Sequence, residues 1–338
     1  MADIDEIRKW SDRRLKEIEE EISEIYTEAV GDITKKWSDY MEKSEAKIAD
    51  LRIAYNNAVQ SNDTKAIREA RDKLQDAIKS QTLRNNRYKD LVDEITTKLG
   101  QVNQNTITYI NGQMPEIYVN NFNFIDKETQ QVLAEIHMKE SFTLIDKHVI
   151  ERRIKDGDIK LPKKKMSIPA DKRWNTKQLN SQVLQGILQG ESMDKIAKRI
   201  LSIVNNNRNA AIRNARTMVT GAENQGRVDR YKDLEDKGIV LKKVWIATGD
   251  GRTRDWHLAI DGQEVEVDEP FIDGNGNKLD YPGDPSAEPE TVYNCRCSMR
   301  SHVVGFRKND GSVSYINYEH EGGKHKEEIE DEKVRRKR

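Results

Sequence analysis

The chain has 338 residues, with 58 Lys and Arg against 59 Asp and Glu, for a net charge of -1. Charged residues make up 35% and the apolar set another 35%, whereas compact globular domains run near ~25% and ~45–50%. That balance excludes one large core in favour of solvent-wrapped helices. No run approaches the ~18 apolar residues of a membrane span, and Met1 to Trp10 lacks the basic flank and apolar stretch of a signal peptide. Two cysteines two positions apart make no disulfide framework, so the expectation is a soluble chain made in a reducing compartment.

From the N-terminus, Ile4, Ile7, Leu15, Ile18, Ile22, Ile25, Ala29, Ile33, Trp37 and Tyr40 recur every three to four residues, with Ile48, Leu51 and Tyr55 beyond. This spacing predicts a long amphipathic helix. Ser61 to Thr64 supplies turn and capping residues, and the stripe resumes from Ala66 and Ile67 to Ile95 and Leu99. A long helical hairpin over 1–120 is expected, packed within the chain or against a partner helix. Between Gln101 and Asp126 the Asn, Thr and Tyr content and Pro115 argue against regular helix, and 127–156 reads as helical again.

Residues 121–174 form a connecting segment whose end, Asp156 to Trp174, reads as an exposed basic linker carrying Lys163, Lys164 and Lys165. Residues 147–216 hold 17 basic and 6 acidic side chains. Such a block meets DNA, an acidic protein surface, or the acidic segments of its own chain. Its DNA-contact candidates are Lys163, Lys164, Lys165, Lys172, Arg173 and Arg208.

Asn175 or Thr176 is placed to cap a helix to about Gln189, and Glu191 to Val204 and Asn207 to Lys237 continue a helical unit over 175–237. After Gly238 the β-formers Val240, Leu241, Val244, Trp245, Ile246, Val265, Val267, Phe271 and Ile272 alternate with Gly, Asp and Pro, predicting short strands and long loops over 238–306. A charged tail, 307–338, closes the chain, with Gly322 to Arg338 expected to be mobile or helical only on binding. The expected class is α+β.

The unusual residues gather near the C-terminus. In an extended segment Cys295 and Cys297 share a face, so they are able to present two thiolates to one soft metal. A structural zinc would add His257, with Asp250 or, alternatively, His302 as fourth ligand. The other reading is a pair of buried reduced thiols beside a histidine that hydrogen-bonds loop backbone. Asp273-Gly-Asn-Gly-Asn277 lacks the glutamate and glycine placement of a calcium loop and reads as a turn. No phosphate-cradling glycine loop, Gly-x-Ser-x-Gly or His-Glu-x-x-His occurs, and a nuclease built on Asp250, His257 and the cysteines lacks a second acidic pair. An enzyme is therefore not expected.

The order of several motifs resembles the phage head morphogenesis or minor head protein family, the Mu F-like group. The carriers are Trp174-Asn-Thr-Lys, Gly186-Ile-Leu-Gln-Gly190, Ile196-Ala-Lys-Arg-Ile200, Arg216-Thr-Met-Val-Thr-Gly-Ala-Glu-Asn224 and Lys243-Val-Trp-Ile-Ala-Thr-Gly-Asp250. Arg254-Asp-Trp-His257, Asp261-Gly-Gln263, Tyr281-Pro-Gly-Asp284 and Asn294-Cys-Arg-Cys297 follow. Met218 stands where the family commonly has Glu, and no enzyme or toxin domain of the kind some members carry is expected after residue 306. The resemblance implies a virion head protein at the portal vertex that assists head assembly, DNA packaging or ejection. Its implied partners are the portal, other capsid proteins and packaged DNA, with no membrane and no small-molecule substrate. Arg216 and Glu223, seven residues apart on one helix face, are expected to pair with the β region or with each other.

Overall fold

The computed structural model describes residues 4–45, 49–82, 86–135, 146–189, 191, 193–308 and 310–316. Ile48, the stretch 136–145 inside the expected 127–156 helix, and the tail 322–338 lie outside the described residues. The chain is α+β: among the described residues seven helices, α1 (Ile4–Glu45), α2 (Ala49–Ser61), α3 (Thr64–Thr82), α4 (Asn86–Glu135), α5 (Lys147–Asp156), α6 (Ile168–Leu188) and α7 (Met193–Asp236), precede a small antiparallel sheet. The later elements are β1 (Ile239–Ile246), α8 (Asp255–Leu258), β2 (Glu264–Glu266), β3 (Phe271–Ile272), β4 (Lys278–Leu279), α9 (Pro289–Val292), β5 (Ser298–Arg307) and β6 (Val313–Tyr315). Two compact units divide the chain, one of residues 18–110 and 164–212, the other of 1–17, 111–163 and 213–338. Among the described residues no helix is long and apolar enough to cross a membrane.

In the all-helical unit the stripe of α1 is buried at Ile18, Ile22, Tyr26, Ala29, Ile33, Trp37 and Tyr40. Its partner is α4, which buries Tyr88, Leu91, Ile95, Leu99 and Val102. Tyr26 reaches Asn103, Asp32 pairs with Lys98, Lys36 with Glu94, and the Tyr40 and Tyr88 rings lie 6.3 Å apart. One number rises as the other falls, so the two helices run antiparallel. The tight turn at Ser61–Thr64 instead joins the short helices α2 and α3, and α2 buries no residue. The expected hairpin is thus split: the face of α1 richest in Ile and aromatic residues finds its match beyond the small helices.

Two further expectations are corrected here. Helix α4 continues through Gln101–Asp126 and Pro115. Its Thr and Asn side chains bond carbonyls four residues back, Thr106 to Val102, Asn120 to Glu116 and Asn121 to Ile117, so they do not divert the backbone from helix. Helix α6 starts at Ile168 rather than at Asn175, because Pro169 in its first turn loses no helical bond. Asn175 is no cap. It is fully buried and belongs to a closed polar ring in which Asn103 donates to Asp171 and Asn207, Asn207 donates to Asn175, and Asn175 donates to Asp171.

In the other unit the sheet order is β2-β1-β5-β6, all neighbours antiparallel. Its core joins Trp245, Leu241, Met299 and Val303 of the sheet to Val228, Tyr231 and Leu234 of α7 and to Phe124 and Ile125 of α4. Gly226 of α7 lies so close to α4 that an added Cβ would stand 2.5 Å from the Tyr118 carbonyl oxygen. Helix α7 ends on Gly238, whose φ of 87° lets the chain turn directly into β1.

Candidate metal centre

The strand β1 carries Trp245 into the core, and the loop after it leads to the one-turn helix α8, which presents His257. The imidazole is 1% exposed and its ring meets Trp245 edge-on at 5.2 Å. The opposite wall comes from the segment between α9 and β5. Asn294 there adopts a left-handed φ of 57°, and Cys295 N–H then bonds the Val292 carbonyl. Cys295 and Cys297 are 2% and 3% exposed, and each Sγ stands 3.7 Å from His257 Nδ1.

The three ligand atoms lie within 4.8 Å of one another. Tetrahedral zinc with bonds of about 2.3 Å to sulfur and 2.0–2.1 Å to nitrogen sets sulfur–nitrogen edges of about 3.6 Å, so the three residues fit three of the four corners of such an ion's coordination. The thiols differ in acidity. A hydrogen bond from Cys295 holds the Cys297 thiol below its ordinary range, with His257 adding to the effect, and the same bond together with burial pushes Cys295 up. A bound cation would favour the thiolate form of both.

Asp250 and His302 are not brought to this group. Arg296, between the cysteines, points away from their shared face and donates to Asp250 at 2.6 Å. Asp250 also accepts from Arg252 N–H and the Thr253 hydroxyl, and Arg296 foremost holds its carboxyl at about 2. His302 lies on β5 and contacts Glu264 at 2.9 Å. Asp273 closes its own loop by accepting from Asn275 and Asn277, as expected of a turn.

The remaining sequence candidates are dispersed. Lys163, Lys164, Lys165 and Arg173 are exposed, Lys172 pairs with Asp93 at 2.6 Å, and Arg208 is half-buried. Glu223 faces Ser11 and Arg227 rather than the β region, and burial pushes its carboxyl up. Sequence reasoning passed over the side chains that hold the cysteine segment. On α7, Thr217 accepts from Asn294 N–H at 3.1 Å, Thr220 donates to the Cys295 carbonyl at 2.7 Å, and Asn224 donates to the Cys297 carbonyl at 3.3 Å. Arg227, 1% exposed, donates to Ser298 and to the Met299 carbonyl. The signal was a polar stripe at steps of three, four and three inside an apolar helix face.

Comparison with known proteins finds the family described as Phage Mu protein F like protein matched by residues 177–300. The chain is 28% identical over 143 residues to the minor head protein GP7 of Bacillus phage SPP1, covering 40% of this chain and 46% of that protein. It is 32% identical over 127 residues to an NAD(+)--arginine ADP-ribosyltransferase, EFV, of Enterococcus faecalis, covering 38% of this chain and 26% of that protein. The matched stretch thus spans less than half the length of either relative. No solved structure matches the chain.

Proposed function

We propose, from the match of residues 177–300 to the Phage Mu protein F like family, that the chain is a minor head protein of a phage virion, without enzymatic activity. It sits at the portal vertex and assists head assembly and the packaging or ejection of DNA. The carrying observation is the family match together with a relative named as a minor head protein. The transferase named in the Enterococcus relative is not carried over, because the shared stretch is 26% of that protein. Sedimentation of an infected-cell lysate tests the proposal. The protein is expected in purified heads and on tagged portal; its confinement to the soluble fraction overturns the reading.

Within this role we assign structural zinc to His257, Cys295 and Cys297, supported by the fit of their 3.7 Å spacings. Bound there, the ion would supply a cross-link between α8 and the segment entering β5 in a region built from short strands. Mass spectrometry of the native protein should find one equivalent, lost in Cys295→Ser and His257→Ala. A metal-free native protein refutes the assignment.

A second reading, contact with packaged DNA, is favoured by the exposed run Lys163, Lys164 and Lys165.

A further inference from the structure

The residues that carry the two thiols have no strand of their own to hold them. Asn294 to Cys297 precede β5, and the β1 ladder begins only at the Ile246–Ser298 pair. Buried carbonyls without ladder partners need other donors, and side chains supply them here. Thr220 serves Cys295, Asn224 serves Cys297, Thr248 just past β1 serves Arg296 at 2.7 Å, and Arg227 serves Met299 where β5 begins. Three of these four donors come from α7, and a fourth α7 side chain, Thr217, takes the N–H of Asn294.

We propose that Thr217, Thr220, Asn224 and Arg227 are positioning residues of the metal centre: the polar stripe of α7, acting on backbone, sets the separation and aim of the Cys295 and Cys297 sulfurs. This rests on the zinc assignment above. A segment held only by its own loop would let the sulfurs move apart by rotation about its backbone. A stripe on a 44-residue helix fixes the carbonyl of each cysteine and the N–H of Asn294 before them. Asn224 adds a second restraint, since its amide also donates to the Pro282 carbonyl at 3.1 Å and so joins two loops at one point. Close approach makes this possible: Gly221, between Thr220 and Asn224, lies where a Cβ would stand 2.8 Å from the Gly283 carbonyl oxygen. The asymmetry of the helix supports the assignment too, because Ala215, Met218, Val219 and Ala222 keep the neighbouring positions apolar.

The test compares Thr220→Val, which keeps the shape and removes the donor, with Thr220→Ser, which keeps the donor. Zinc affinity is read on the full chain by competition with a chromogenic chelator, and cobalt(II) substitution reports thiolate charge-transfer and ligand-field bands. Thr220→Val should weaken zinc about 10–100-fold, the usual loss on removing a supporting partner, and shift the cobalt bands. Thr220→Ser should stay within a few-fold of the native protein. Thr217→Val, at a half-buried position, repeats the experiment if Thr220→Val fails to fold, and a smaller loss in the same direction is expected. Equal affinities and unshifted cobalt bands in all variants, with one equivalent of zinc on the native protein, overturn the proposal while sparing the zinc assignment. No zinc on the native protein overturns both.

Discussion

Glu128 and Asp250 show how one residue type acquires opposite pH roles from its surroundings. Glu128 on α4 accepts from Ser301 at 2.8 Å, and burial, its largest influence, pushes its carboxyl up. The folded state therefore holds a proton that the unfolded chain releases near its ordinary value of about 4.3. Stability from this group is present below that value and lost as pH rises through the folded pKa. Glu128→Gln should raise Tm at pH 7, with the gain shrinking toward pH 4, because the amide keeps the Ser301 bond and carries no charge. An unchanged or lower Tm at neutral pH would show that the carboxylate is adequately solvated. Asp250 has the reverse sign: held at about 2, first by Arg296, it contributes above the ordinary carboxylate range and loses that contribution as pH falls from about 4 to about 2. Arg296→Gln should lower Tm modestly across the neutral region and so flatten the acid limb over that interval, the two curves converging near pH 2 in a pH titration of Tm.

Helix α7 shows what an element adds that its residues do not carry singly. Its contact with α4 depends on Gly226, where a side chain would meet both the Tyr118 carbonyl oxygen and the Phe122 amide nitrogen. Gly226→Ala should destabilise by about 1–3 kcal/mol, the cost of overpacking a close contact, despite alanine's better helix propensity; urea unfolding with an unchanged m-value checks it. The same element explains which parts of the molecule were legible in the sequence. The α1 stripe was readable because Ile18, Ile22, Ile33 and Trp37 recur at a strict helical period. So was the juxtaposition of His257 with Cys295 and Cys297, since residue type narrows the choice sharply among few histidines and two cysteines. Pro115 and the Asn and Thr of α4 misled, because their satisfaction lies in bonds four residues back that local propensity does not count. Asn175 read as a cap, and is instead one corner of a ring closed by Asn103 and Asn207, 72 and 32 positions away along the chain. The stripe Thr217, Thr220, Asn224 and Arg227 was readable as a polar line, but what it holds was hidden for the same reason. Its partners are backbone groups some seventy residues downstream, and nothing in the identity of those residues announces them.

At the scale of the whole molecule, net charge conceals how basic side chains are spent. Residues 147–216 carry 17 basic and 6 acidic groups within a chain of net charge -1, and their side chains differ in exposure and pairing. Lys172 is neutralised by Asp93 at 2.6 Å and also donates to Thr97, whereas Lys163 and Lys165 are exposed beside Lys164. If this segment contacts packaged DNA, phosphate neutralisation releases about 0.9 counterion per contact on a duplex. Changing Lys163, Lys164 and Lys165 together to Gln should reduce the slope of log affinity against log salt by about 2–3, with a loss of affinity shared equally by unrelated sequences. Lys172→Gln is the internal control: its charge is already paired within the chain, so its slope should match that of the native protein. Fluorescence anisotropy with a labelled duplex across a salt series measures all three. A triple variant with the native slope, or a native protein that does not bind at low salt, removes DNA contact through this segment and assigns the basic block to protein surfaces of the head.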